Sequence, residues 1–165
     1  MCEQLLFQIL DQPLQIHNIQ PKCIGSKRAT TPRLLTPIMA TKQVIKPAKS
    51  APAVGPYNHA VRIGDLLFCA GQIPIDPATG NLVPGDIKAQ TERVLENIKA
   101  ILDDQRLSFA KVVKSTVFLT SLADFGAMNE VYAKYFSADF PARSTIQVAA
   151  LPKGANVEIE VIAHF

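Results

Sequence analysis

The last ten residues, 156–165 (NVEIEVIAHF), limit the possible folds most, because they alternate like a strand with one wholly apolar face. The apolar face holds Val157, Ile159, Val161, Ala163 and Phe165. The other face is half polar and holds Glu158, Glu160, Ile162 and His164. The middle strands are apolar on both faces, so their sheet needs a cover on each side. The chain has helices for one cover only, and we therefore predict that another subunit supplies the second.

Four further segments are predicted to be strands. Residues 57–64 and 65–75 form a hairpin that turns near Gly64 and Asp65. Residues 111–120 (KVVKSTVFLT) are β-branched and alternating, which is typical of a strand. One face of that strand is predicted to hold Val113, Ser115, Val117 and Leu119. Residues 143–152 form a strand that turns at PKGAN into the last one.

Two segments, residues 85–105 and 122–136, have helical periodicity. Asp86 is a plausible N-cap of the first helix. The second helix has a broad stripe that we predict packs in the core: Phe125, Met128, Tyr132, Tyr135 and Phe136. The predicted order is β-β-α-β-α-β-β. Both helices on one sheet face give an α+β two-layer domain.

The net charge of +3 is unevenly distributed along the chain. Residues 1–50 hold seven Lys or Arg and two acids, whereas residues 51–165 hold ten Lys or Arg and twelve acids. The second part lacks the basic excess of a nucleic-acid binder. We predict a leader at 1–38, disordered or mis-annotated, and a compact domain at 39–165. We predict a cytoplasmic protein if Met39 is the true start, and a mitochondrial or plastid protein if the acid-poor leader is a transit peptide.

Cysteine and histidine usage argues against disulfides and metals. The three cysteines, Cys2, Cys23 and Cys69, show no regular spacing, which fits a reducing compartment. No CxxC occurs and the three histidines are scattered, so we predict no zinc site and no metal. The chain has no GxGxxG, GxxxxGK[ST], GxSxG or HExxH motif, which disfavours nucleotide cofactors and a serine nucleophile. No apolar run is long enough to span a membrane.

Two charged residues are candidates for chemistry. Arg143 follows Pro141 at a strand start, where its guanidinium either pairs with a protein acid or binds a ligand carboxylate. Glu158 lies inside an apolar strand, where a carboxylate either pairs with a cation or handles a proton. Tyr57, after Gly-Pro, either caps a ligand or faces solvent. Gly71 marks either a close approach or a bulge.

Three stretches together resemble the RidA family, also called YjgF or the reactive-intermediate deaminases. They are residues 51–83, 112–136 and above all 141–163 (PARSTIQVAALPKGANVEIEVIA). The resemblance implies a chorismate-mutase-like α+β fold, a homotrimeric barrel, and sites between subunits. It implies hydrolysis of enamines and imines, such as 2-aminoacrylate and 2-iminobutyrate, to 2-oxo acids and ammonia. This activity protects pyridoxal-phosphate enzymes and uses no cofactor or metal.

The resemblance also implies roles for individual residues. Arg143 binds the substrate carboxylate and Glu158 orients the attacking water, while Glu160 is structural. The predicted substrate-binding residues are Tyr57, Gly71, Thr145, Asn129 and Phe125. The chain departs from many relatives at Ala70, where they have serine, and at Thr145, where they have cysteine. The departures leave the substrate preference open.

Two other functions stay open from the sequence. One is a non-enzymatic regulator that binds small carboxylates. The other is an RNA-cleaving translation inhibitor, which the acidic balance of residues 51–165 disfavours. Glu158→Gln discriminates the first from an enzyme, because it removes a base and spares a binding site.

Overall fold

A computed structural model describes residues 41–48, 50 and 55–165. The predicted leader at 1–38 and its boundary at 39 lie outside the described residues. The described residues form six strands, two α-helices and three short 3-10 helices. The strands are β1 (Gln43–Ile45), β2 (Ala60–Ile63), β3 (Leu66–Gln72), β4 (Val112–Leu119), β5 (Ala142–Gln147) and β6 (Val157–His164). The helices are α1 (Ile87–Asp104) and α2 (Phe125–Tyr135).

The six strands form one mixed sheet in the order β1-β2-β3-β6-β4-β5. Only β4 and β5 run parallel, and the other neighbours are antiparallel. The predicted α+β class is therefore confirmed, with two helices and a mixed sheet. The homotrimeric barrel stays a prediction, since a single chain is described.

The predicted order of elements along the chain lacks one strand, β1. Strand β1 is only three residues long and pairs with β2 at the sheet edge, so no alternating pattern reveals it. The predicted hairpin is confirmed, because Ile63 pairs with Leu66 across the turn at Gly64 and Asp65. Gly64 has a φ of 57°, a conformation that a glycine adopts without a steric cost.

Both helices pack on one face of the sheet, which we call the helix face. Helix α1 begins after Asp86, whose Oδ1 accepts a hydrogen bond from the Ala89 amide at 3.0 Å, as the N-cap prediction requires. The core joins α1, α2 and the inward residues of β6, which are Val157, Ile159, Val161 and Ala163. The predicted apolar face of the last strand is thus confirmed.

Strand β4 departs from strict alternation. Its register against β6 shifts between Val112 and Lys114. Val112 is therefore buried while Val113 is 44% exposed. The prediction that Val113 shares a face with Ser115 is wrong, because the irregularity inserts a residue and reverses the side-chain parity there.

The opposite face of the sheet, the open face, has no helix over it within the described residues. Strand pairing brings together on this face Leu66, Phe68, Thr116, Phe118, Glu158, Glu160 and Ile162. Phe68 is 41% exposed and Ile146, which pairs with Phe118, is 47% exposed. This apolar surface is the one for which the sequence predicts a second subunit.

Cys69 lies on the helix face as a buried free thiol. Burial raises the pKa of this thiol to about 12. No helix in the described part of the chain has the length and apolar content needed to cross a membrane.

Candidate functional site

The glutamate pocket is a cavity of about 360 Å³ at one end of β3 and β6. It brings together three of the residues predicted from the sequence, Tyr57, Gly71 and Glu158. Its remaining lining residues are Ala70, Ile73, Pro152 and Lys153. The pocket therefore combines an apolar wall with one carboxylate, one phenol and one ammonium group.

Gly71 and Glu158 are in direct contact across the two strands. The β3–β6 register is irregular between Cys69 and Gln72, which carries Gly71 toward the Glu158 side chain. A Cβ atom at position 71 would overlap the Glu158 carboxylate. The glycine is thus both a bulge and a close approach, the two alternatives that the sequence left open.

The environment of Glu158 favours its protonated form. Partial burial raises the pKa of this carboxyl above its usual range, and the negative charge of Glu160 on the same strand raises it further. A carboxylate with a raised pKa binds a proton more readily than an exposed one. Glu158 is therefore suited to accept a proton from water.

The arginine pocket is a second cavity, of about 450 Å³, beside α2 and β5. Two residues predicted from the sequence, Asn129 and Arg143, line it. Its remaining lining residues are Tyr132, Ala133, Phe140 and Pro141. Phe125, a third predicted residue, contacts Arg143 with its ring centroid 5.6 Å from the guanidinium carbon Cζ.

Arg143 is held by aromatic rings and not by an acid. Its Cζ lies 4.7 Å from the centroid of the Tyr132 ring. Within the described residues no ion pair involves Arg143, and the two pairs found there are Lys88–Glu130 and Lys99–Asp103. The alternative of a structural salt bridge is thus not realised within these residues, and the guanidinium edge can bind a ligand carboxylate.

Strand register separates the two pockets. Arg143 pairs with Ser115 of β4, and Glu158 pairs with Phe118 of the same strand. Positions 115 and 118 are an odd number of residues apart, so they face opposite sides of the sheet. Arg143 therefore lies on the helix face and Glu158 on the open face. One chain does not bring these two side chains together.

Thr145 lies two residues after Arg143 on the same side of β5, paired with Val117. It lines neither pocket. Phe125 is 38% exposed, so its predicted core packing is wrong, because its ring lies at the pocket rim beside Arg143.

Several residues of the two pockets are not predicted from the sequence. Lys153 and Pro152 belong to the segment PKGAN, which the sequence marks only as a turn. Tyr132 was predicted as core, and its hydroxyl is hydrogen-bonded to the buried Ser115 hydroxyl at 2.7 Å. A polar residue at an inward position of β4 is the signal that points to this pair. In the part of the chain that is described, no group of three or more His, Cys, Asp or Glu is arranged to hold a metal.

Comparison with known proteins gives the same family for most of the chain. The family model described as Endoribonuclease L-PSP matches residues 48–165. A RutC family protein of Pyrococcus abyssi is 52% identical over 123 residues, which cover 74% of this chain and 97% of that protein.

A goat (Capra hircus) protein named 2-iminobutanoate/2-iminopropanoate deaminase is 47% identical, over 74% of this chain and 89% of that protein. The crystal structure of E. coli TdcF with bound serine is similar, with a TM-score of 0.71 and 43% identity. That match covers 74% of this chain and 98% of the TdcF chain. On this evidence the chain belongs to the Endoribonuclease L-PSP family, the family also called RidA or YjgF.

Proposed function

We propose that this protein is a 2-iminobutanoate/2-iminopropanoate deaminase. It hydrolyses reactive enamines and imines, such as 2-aminoacrylate and 2-iminobutanoate, to 2-oxo acids and ammonia, and so protects pyridoxal-phosphate enzymes. The relatives named 2-iminobutanoate/2-iminopropanoate deaminase support this activity, among them the goat protein. The observation that carries the proposal is the pair of half-sites: an arginine without an acidic partner in the described residues and a carboxyl with a raised pKa.

The proposed reaction begins with the imine tautomer of the substrate. Arg143 binds the carboxylate through two N–H donors of its planar fork. Glu158 accepts a proton from water as the water oxygen forms a bond to the imine carbon, and it passes this proton to the nitrogen, which gives a neutral carbinolamine. Glu158 then transfers the hydroxyl proton of the carbinolamine to the nitrogen as the carbon–nitrogen bond breaks, and the products are the 2-oxo acid and ammonia.

The acceleration that this reaction needs is modest, since imines already hydrolyse in water. Each tenfold in rate requires about 1.4 kcal/mol of transition-state stabilisation. Orientation of the substrate by Arg143 and one general base can supply several such factors. Tyr57 and Gly71 line the glutamate pocket, and Asn129 and Phe125 lie beside Arg143. We propose that these residues, with Thr145, surround the substrate.

We further propose that the working form is a homotrimer in which each site joins two chains. The supporting observation is that Arg143 and Glu158 lie on opposite faces of one sheet. The arginine pocket of one copy would meet the glutamate pocket of the next. The exposed apolar side chains of the open face, such as Phe68, would be covered by the neighbouring copies. We assign the reaction to the cytoplasm, or to an organelle if residues 1–38 act as a transit segment.

The test is 2-oxobutanoate production from freshly generated 2-iminobutanoate. We expect the wild-type protein to accelerate it and Arg143→Ala to abolish the acceleration. A folded wild-type protein that gives no acceleration would overturn the proposal.

A second candidate is a regulator that binds small carboxylates without turning them over. The serine bound to E. coli TdcF favours it, because serine carries the same α-carboxylate and is not an imine. Glu158→Gln separates the two functions. It should abolish turnover in an enzyme and leave a regulator's ligand binding nearly unchanged.

RNA cleavage is the activity that the family description Endoribonuclease L-PSP implies. Residues 51–165, with ten basic and twelve acidic side chains, lack the net basic charge that favours RNA binding. RNA binding that weakens steeply with added salt would support this activity instead.

A further inference from the structure

We propose that Tyr132 is a positioning residue that holds the Arg143 guanidinium in the orientation needed to bind a substrate carboxylate, and that Ser115 fixes Tyr132 for this task. The inference rests on the proposed function, in which Arg143 binds that carboxylate. From the sequence, Tyr132 belongs to the aromatic stripe of α2 and is predicted only to pack in the core. The inference gives it a second role at the site.

The contact between Arg143 and Tyr132 is compatible with carboxylate binding at the edge of the guanidinium. Its Cζ lies 4.7 Å from the Tyr132 ring centroid, within the range of a cation–π attraction. Such an attraction engages the flat face of the group, whereas its N–H donors lie in the plane. Tyr132 can therefore support the arginine from one side while a carboxylate binds its edge.

The Tyr132 ring is itself firmly held. The residue is 4% exposed, and its ring stacks on Phe136 with centroids 4.3 Å apart and planes at 16°. Phe109 packs edge-on against Phe136 at 4.8 Å. These contacts fix the ring plane, and the hydrogen bond to Ser115 fixes the ring within that plane.

Ser115 connects the ring to the backbone that carries the arginine. It is fully buried, and its hydroxyl lies 2.7 Å from the Tyr132 hydroxyl. It is also the direct strand partner of Arg143 in the β4–β5 pairing. The three residues thus form a closed loop of one backbone pair, one hydrogen bond and one cation–π contact.

The protonation state of Tyr132 preserves this loop near neutral pH. Burial raises the pKa of the phenol, and the Ser115 hydrogen bond and the Arg143 charge lower it by less. The phenol therefore keeps its proton, and two neutral hydroxyl groups share the hydrogen bond. An arginine without this support has to be ordered by the ligand, which weakens binding.

The test measures binding of 2-oxobutanoate by calorimetry, together with kcat and KM for 2-iminobutanoate. We expect Tyr132→Leu to raise both the Kd and the KM about tenfold, equivalent to about 1.4 kcal/mol, with a smaller change in kcat. Tyr132→Phe and Ser115→Ala keep an aromatic ring beside the arginine, and we expect a rise of about threefold in each.

Tyr135→Leu is the matched control. Tyr135 is on the same helix, and its hydroxyl donates to Glu96 at 2.7 Å, away from Arg143. It should leave the Kd unchanged. A spectroscopic readout is the ring-current shift of the Arg143 Nε–H resonance, which Tyr132→Leu should reduce to the contribution of Phe125 and Tyr135→Leu should leave unchanged.

An unchanged Kd in a folded Tyr132→Leu protein, or an equal loss in Tyr135→Leu, would overturn the inference. If Tyr132→Leu does not fold, unchanged constants in both Tyr132→Phe and Ser115→Ala would overturn it. Wild-type protein that binds 2-oxobutanoate without hydrolysing the imine would overturn the proposed function but not the role of Tyr132. Wild-type protein that neither binds 2-oxobutanoate nor hydrolyses the imine would overturn both.

Discussion

The arginine pocket and the glutamate pocket hold their charged groups in opposite ways. Arg143 lies against the faces of Tyr132 and Phe125, with no acid paired to it in the described residues. Glu158 lies against the backbone of Gly71, near a second carboxylate of the same sign. The raised pKa of the Glu158 carboxyl favours its protonated form. The contrast agrees with the proposed function, in which Arg143 binds the carboxylate and Glu158 transfers a proton.

The largest expected effect tests whether the arginine pocket of one chain and the glutamate pocket of another form one site. Arg143→Ala and Glu158→Gln should each lose about 100-fold or more of the activity. Co-expression of the two inactive chains should restore roughly a quarter of the sites, because an intact arginine pocket then meets an intact glutamate pocket at a mixed interface. Imine hydrolysis by purified mixed oligomers measures the restoration.

The control is each variant expressed alone at the same total concentration. Mixed oligomers with no more activity than these controls would show that the two pockets do not share a site. Sedimentation of the same samples checks that the oligomers form.

Gly71→Ala should separate activity from stability in the glutamate pocket. The new Cβ would displace the Glu158 carboxylate, which is the flexible end of a side chain and can move at little cost in folding free energy. A displacement of about 1 Å at a reacting group can lower the rate about 100-fold. We expect that loss in kcat, with nearly unchanged thermal unfolding.

Gly126→Ala is the matched glycine variant in α2. An added Cβ meets nothing within 4 Å there, and alanine is the better helix former. It should keep the activity and stabilise the domain by about 0.5–1 kcal/mol. Equal activity losses in both glycine variants would contradict the role given to the Glu158 contact.

A smaller effect concerns the pH dependence of kcat/KM. Glu158 must be ionised to accept a proton, so activity falls as the pH drops through its raised pKa. Glu160→Gln removes the neighbouring negative charge and lowers the pKa of Glu158. The acid limb of the pH profile should therefore move to lower pH. An acid limb that stays in place would argue that another group controls it.

The smallest effect should come from Asp86→Ala, because Asp86 caps α1 and lines neither pocket. The variant loses the N-cap hydrogen bond to the Ala89 amide, which costs about 1 kcal/mol of unfolding free energy. Chemical denaturation measures the cost. The kcat/KM should equal the wild-type value, and a clear drop would mean that α1 stability limits the site.

The sequence predicts the elements whose burial repeats with a fixed period. The last strand keeps strict alternation over eight residues, and α1 keeps its buried face over five turns, so both could be found from their patterns. Strand β1 has three residues and one neighbour, which leaves too short a pattern to detect. The sequence pattern places Val113 on the wrong face. The inserted residue in β4 reverses the side-chain alternation but leaves no trace in the order of apolar and polar residues.

The candidate site is less predictable, because it depends on pairing between distant segments. Arg143 and Glu158 could be selected as charges in apolar surroundings, yet their opposite faces follow only from the register of β4. Tyr132 could not be told from its neighbours on the stripe, since its link to Ser115 joins residues on two elements. Periodicity describes one element at a time and does not report such contacts.

The burial of Cys69 has a consequence for oxidative stress. A thiol with a pKa of about 12 is almost wholly protonated in cells, and thiolates are the form that peroxides and electrophiles attack. Position 145 on β5 is threonine, which has no thiol to oxidise. Residues 41–165 contain no other cysteine, so we expect this part of the chain to resist thiol oxidation.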